Sequence, residues 1–285
     1  MKIRLLWIWL LLGLAALVGL VLIPGGHTET FQLVEEFQLH PIIKLPSIGP
    51  VDFSITKPVV YLWIATAILI VVSIVISRTL KAAQPGRFQA ARELLFTLAR
   101  DGIVRTTMTS GADTWFTYIG AAFFFVLVSN LLGLIPLPFG PNHQLSFYAA
   151  TGNLNVTIVL AFFTFAFTHY AGMHQKGVIG YLRSWSIPSA PQGLRQAMYF
   201  MHVLSELFQL VSLSVRLFAN MLAGHAILAV FFAMALVFQS YLIAGVLQVG
   251  SVALYLFEIF IAFIQAFIFA ILSAVYIGGA LEEEH

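Results

Sequence analysis

Three charged residues stand apart in a long apolar stretch. Between Arg195 and Glu282 the only charged side chains are Glu206, Arg216 and Glu258, each set among Phe, Leu, Ile, Val and Ala. A charge at bilayer depth costs at least about 2.5–3.5 kcal/mol by insertion scales, so a charge kept there reads first as a working group. The plain structural alternative is a Glu206–Arg216 pair that staples two helices. The spacing argues against a staple. His202, Gln209 and Arg216 follow one another at seven-residue steps, nearly in line at 3.6 residues per turn, with Ser205, Glu206, Ser212 and Asn220 beside them. Glu206 and Arg216 are ten residues apart, about 15 Å along a helix axis, too far to pair easily within that helix. One helix thus carries a ladder of acid, amide, hydroxyl and guanidinium groups, which suits a water-lined ion path.

A second stripe follows. Glu258 and Gln265 are again seven apart on one face of an apolar run. If the two helices pack antiparallel about a turn near residue 242, His225 comes opposite Glu258. A His–Glu pair in a low-dielectric channel titrates near neutral pH, as a proton relay requires. Taken singly, His225 also reads as a hydrogen-bonded core histidine. The arginine has a different logic. A guanidinium keeps its proton in proteins, so it is a poor carrier and a permanent positive charge. Beside a moving carboxylic acid it favours ionisation, and it blocks a straight leak. One fixed cation between two polar routes suggests two half-channels with a barrier between them. No acid in this chain is placed to approach Arg216 repeatedly, so the moving carboxylate must come from another subunit.

The elements that hold these stripes are membrane helices. Of 285 residues, 60% are hydrophobic and only 9% charged, against roughly 25% charged in a soluble domain. Without water at depth the backbone must bond to itself, as helices do. Six stretches read as membrane segments: Leu5–Ile23, Pro58–Ser77, Trp115–Ile135, Val156–Ala171, and two long, tilted helices within Ala197–Ala280 that turn near Gln239–Gly245. The expected fold is an all-α integral membrane protein of five core helices, the last two forming a hairpin. The N-terminal segment, residues 1–26, has two readings, a retained helix or a removed signal. Its length and the lack of a small-x-small site before Gly25 favour the helix. Residues 27–285 read as one membrane domain, with no internal repeat.

Loop charges set the orientation. Residues 78–105 carry Arg78, Lys81, Arg87, Arg92, Arg100 and Arg105 against Glu93 and Asp101, and the loop from Lys176 to Arg195 is basic without an acid. Both should face the cytoplasm. Residues 24–57 and the uncharged 136–152 should lie outside. Phe88, Ala91, Leu95 and Leu98 recur at helical spacing, with Arg87, Arg92, Glu93 and Arg100 mostly elsewhere on the wheel, which reads as an interfacial amphipathic helix. Pro136, Pro138, Gly140 and Pro141 make a stiff loop that cannot continue a helix. There are no cysteines, hence no disulfide or thiolate metal site. The net charge of +2 is too small to argue for nucleic acid.

The run Ser212–Leu213–Ser214–Val215–Arg216–Leu217–Phe218–Ala219–Asn220–Met221–Leu222–Ala223–Gly224–His225 resembles the signature of subunit a of F-type ATP synthases. Asn130–Leu131–Leu132–Gly133–Leu134–Ile135–Pro136, Asn153–Leu154–Asn155–Val156–Thr157, Gln265–Ala266–Phe267–Ile268–Phe269 and the tail Glu282–Glu283–Glu284–His285 are similar to further stretches of that family, and the resemblance runs from about Phe31 onward. It implies that Arg216 faces a rotor ring of c subunits bearing carboxylates, and that His225, Glu258, Asn220 and Gln265 line or organise the half-channels. The polar ladder read above puts Glu206, Gln209 and His202 along the path to the cytoplasm, and the resemblance implies peripheral-stalk b subunits and the rest of the F1Fo complex as partners, no cofactor, and a place in the cell inner membrane. Where some relatives carry glutamate and then histidine, this chain has His225 and Glu258, the couple in swapped order. Many relatives have a glutamate at the position of His202, and Glu206, one turn on, takes over that role here. Ala219 stands where many bacterial members have glycine.

Two other classes compete. A self-contained proton-coupled transporter would show inverted repeats with paired broken helices, and none are found. An intramembrane metalloenzyme would need a spacing such as H-E-x-x-H. His169 and His174, five apart, are wrongly stepped for one helical face and read as an interfacial helix end.

Overall fold

The computed structural model describes residues 41–44, 54–79, 93–135, 149–186, 191–237 and 241–282. Leu5–Ile23, the start of the expected amphipathic segment, the expected Pro136–Pro141 loop and residues 238–240 lie outside these residues.

The described chain is almost wholly helical, with five helices long and apolar enough to cross a membrane. A short antiparallel ladder precedes them, β1 (Pro41–Ile43) on β2 (Ile55–Thr56). The long helices are α1 (Lys57–Thr79), α2 (Ala112–Leu134), α3 (Leu154–Lys176), α5 (Gln192–Val237) and α6 (Tyr241–Leu281), with the short α4 (Val178–Ser184) after α3. The basic segment is helical from Glu93 and widens into a π-helix over Leu98–Val104, burying Ala99, Ile103 and Val104. Of the turn expected near Gln239–Gly245, residues 241–245 are already helical, because α6 begins at Tyr241. Glycine inside a membrane helix is common, so Gly245 does not end it.

Local sequence explains the ends. The Asn153 side chain accepts from the Asn155 backbone N–H at 2.9 Å and caps α3. Ile135, which ends α2, is extended at φ −82° and ψ 118°, the conformation that a following proline imposes on the residue before it. α5 and α6 run 46 and 41 residues.

The core forms around one stripe of α6. Ala262, Ala266, Ala270 and Ala274 recur every four residues and are fully buried. Small side chains let helix backbones approach closely, which is how membrane helices associate where lipid is as apolar as leucine. Phe123 and Val126 of α2 and Leu213 and Leu217 of α5 share one buried cluster with Ala266, Ala270 and Ala274. Hydroxyls tie α2, α3 and α6 inside it: Tyr118 Oη to Thr164 Oγ1 at 2.8 Å, and Thr164 Oγ1 to Ser273 Oγ at 3.2 Å. Glu258 stands one step before Ala262 on the stripe, so the packing that makes the core also draws this acid inward.

Candidate functional site

The end of α2 supplies the first half of the site. The last carbonyls of a helix have no partner within it, and Pro136 prevents another turn. Two of them are claimed from other helices. The Tyr255 hydroxyl of α6 donates to the Leu134 carbonyl at 2.7 Å, and His225 Nε2 of α5 lies 3.1 Å from the Gly133 carbonyl. His225 Nδ1 is 2.9 Å from the Met221 carbonyl one turn back. Both ring nitrogens therefore face acceptors. A neutral imidazole donates to one of them and an imidazolium to both.

Asn130 locks this corner one turn earlier. It is fully buried, donates from Nδ2 to the Ala262 carbonyl at 3.3 Å and accepts from Thr151 Oγ1 at 2.7 Å. The end of α2, the 3-10 turn Ala150–Gly152 and the stripe of α6 are thus held in register beside Glu258.

Glu258 is 8% exposed, and neither carboxyl oxygen has a hydrogen-bond partner among the described residues. It lines a cavity of about 140 Å³ with Asn220, Gly224, His225 and Leu254. Gly224 makes room for it, since a Cβ there would stand 2.5 Å from Glu258 Oε1. The expected register of His225 with Glu258 appears as a shared cavity. Direct pairing does not, because among the described residues the imidazole bonds to the two carbonyls and no ion pair joins it to Glu258.

Toward the middle of α5, Asn220 Nδ2 donates to Gln265 Oε1 of α6 at 3.4 Å. One turn before Asn220, Arg216 is exposed. Its only described hydrogen bond is to Ser212 Oγ, at 3.5 Å. Among the described residues no carboxylate lies within 4 Å of it. Leu207, Phe208, Val211 and Val215 expose an apolar surface on the same helix. At the far end of the ladder, His202 Nε2 and Glu206 Oε1 are 3.5 Å apart, with half-buried Gln209 between that pair and Arg216. The seven other candidate residues fall into two polar groups, one on each side of Arg216.

Residues 59–278 match the family described as ATP synthase A chain. The chain belongs to that family. It is 39% identical to the ATP synthase subunit a of Rubrobacter xylanophilus over 84% of this chain and 89% of the relative. It is 38% identical to that of Pelodictyon phaeoclathratiforme, over 85% and 69%, and 37% identical to an ATP synthase subunit a 2 of Prosthecochloris aestuarii, over 91% and 82%. Membership and the five apolar helices make it a multi-pass membrane protein of ATP synthesis and proton transport.

Spacing within α5 and α6 drew attention to the stripes. It did not reveal Tyr255, which is bonded across 121 residues, or the role of Gly224 in seating Glu258. Tyr255 stands three residues before Glu258 on a helical face, the one local signal that could have found it.

Proposed function

We propose that this ATP synthase A chain is the proton-conducting stator subunit of the F1Fo membrane sector, lodged in the cell inner membrane against a rotor ring of c subunits and held by peripheral-stalk b subunits. The observation that carries the reading is Arg216: a permanent cation on an exposed apolar face, without an acid of its own chain within 4 Å among the described residues. A guanidinium left unpaired at depth is costly, and a carboxylate presented by a neighbouring subunit relieves that cost.

A proton enters from outside through the cavity of Glu258, His225 and Asn220, with Gln265 hydrogen-bonded to Asn220 at its inner end. It neutralises a ring carboxylate, which then moves into lipid, since burying the neutral acid costs far less than burying the anion. After nearly a full turn the acid meets Arg216 from the other side. The guanidinium favours its ionisation, and the proton leaves past Gln209, Glu206 and His202. That end of α5 adjoins the basic stretch with Lys176, Arg183 and Arg195, which the charge bias places in the cytoplasm. Arg216 also keeps the two routes from joining. The chain makes and breaks no covalent bond; it couples proton flow to rotation.

The test is Arg216→Ala in inverted membrane vesicles. ATP-driven proton pumping is lost while the complex remains assembled. Intact pumping refutes the mechanism.

A further inference from the structure

A second polar cluster lies where α3, α4 and α5 meet. Gly177 turns the chain at φ 72°, a region open chiefly to glycine, and α4 folds back along α3. Tyr181 of α4 then packs over Gly172, where any Cβ would collide with its ring, and is 5% exposed. Its hydroxyl oxygen lies 2.8 Å from His169 Nδ1. The Phe165 ring meets the His169 ring edge-on at 4.1 Å. Trp185 closes the corner, with its ring centre 6.0 Å from that of His169 and 4.8 Å from that of His202, tilted 33° to the latter. His202 in turn meets Glu206 at 3.5 Å. Aromatic rings thus wall a row of three titratable side chains that starts ten residues before Arg216 and ends on a different helix. The row does not converge as a metal site.

We infer that His169 is a second proton-accepting group of the exit path that leaves from Glu206, and that Tyr181 is the residue that positions it. This rests on the proposed direction of proton exit. The other titratable groups facing the cluster are Tyr199 of α5, 5.3 Å from Trp185 ring to ring, and Tyr276 of α6, within electrostatic range of Arg216 and Glu206. The 3-10 turn that packs on α3 brings none.

The chemistry follows from the donors. Burial first, and then the charge of Glu206, push the Tyr181 phenol up to about 12, so it keeps its proton at any cellular pH. It donates to Nδ1 of a neutral His169, whose own proton then sits on Nε2. When His169 gains a second proton, Nδ1–H donates to the phenol oxygen and the hydroxyl hydrogen swings away. Tyr181 therefore serves both charge states without ionising. A proton on Glu206 passes to His202, leaving a carboxylate beside an imidazolium, whose charge lies against the Trp185 face. Indole N–H is a donor only, so the proton travels from His202 to His169 through solvent and His202 returns to neutral.

The test uses vesicles holding the whole complex, with ATP-driven pumping followed while the cytoplasmic-side pH runs from about 5 to about 8, the range over which an imidazole changes charge. In His169→Phe and His169→Gln, pumping falls severalfold and the imidazole limb of the pH profile disappears. Tyr181→Phe keeps that limb but moves it. An assembled His169 variant with an unchanged profile overturns the inference, as does a loss that is equal at every pH, which marks packing alone. If His169→Phe fails to assemble, His169→Gln and Tyr181→Phe decide by the same readout. Arg216→Ala is run alongside. Surviving pumping there refutes the path as a whole, whereas lost pumping there with unchanged His169 profiles refutes only the role of His169.

Discussion

Gly224→Ala places one methyl group against the most deeply held acid of the site. The new Cβ would stand 2.5 Å from Glu258 Oε1, 3.1 Å from its carboxyl carbon and 3.4 Å from Cγ. Ordinary contact is about 3.5 Å, so the carboxyl must retreat by about 1 Å or the helices must part. Parting α5 from α6 is an overpacking cost of about 1–3 kcal/mol. Swinging the carboxyl is easier, because a glutamate has rotatable bonds to spare. It still moves the group, and about 1 Å of misplacement at a reacting group costs up to about 10²-fold in rate. The expected outcome is an assembled complex whose ATP-driven pumping is about 10- to 100-fold slower, equivalent to about 1.4–2.7 kcal/mol of barrier. Shortening the acid by a methylene makes room, so Gly224→Ala with Glu258→Asp should pump faster than the product of the two single effects predicts. Paired vesicle assays give all four corners of that cycle. Gly224→Ala pumping at the unaltered rate, or strictly multiplicative single effects, refutes the steric argument.

Other outcomes follow from the same geometry. Asn130→Ala leaves the Thr151 hydroxyl and the Ala262 carbonyl without their partner and should cost about 1–3 kcal/mol, read as a lower melting temperature of the purified complex. Tyr255→Phe removes only the donor to the Leu134 carbonyl and should cost about 1 kcal/mol in the same assay. Lys176→Met removes the bond from Lys176 Nζ to the Glu282 carbonyl, 2.6 Å at an exposed corner, and should change stability by less than about 0.5 kcal/mol.

The sequence alone carries the helices well, because a bilayer leaves so few alternatives. An apolar run of sufficient length can only be a helix; α1 and α3 reach slightly beyond the expected Pro58–Ser77 and Val156–Ala171 at both ends, and α2 starts three residues before the expected Trp115–Ile135 and stops one short of its end. The polar stripe of α5 is legible for the same reason: an unbroken helix makes spacing equal to direction. What escapes is everything that needs a second helix at known depth. His225 could be placed near Glu258 by counting back from a turn, but its bond to the Gly133 carbonyl depends on where α2 ends, 92 residues earlier. His169 and His174 looked alike as a helix end. In the fold they differ, since α4 doubles back over His169 and leaves His174 exposed. The β1–β2 ladder left no sequence signal strong enough to read.

The sheer length of the last two helices has a geometric consequence. At 46 and 41 residues they measure about 69 and 62 Å, more than twice the roughly 30 Å of oil they must fit. Each has a 37-residue apolar window, about 56 Å, too long to stand upright within that thickness. A rod laid aslant trades height for sideways reach, so doors opening to opposite faces can lie far apart in the plane of the sheet. On the proposed reading, with a wheel turning beside such a rod, that sideways reach is an arc of its rim.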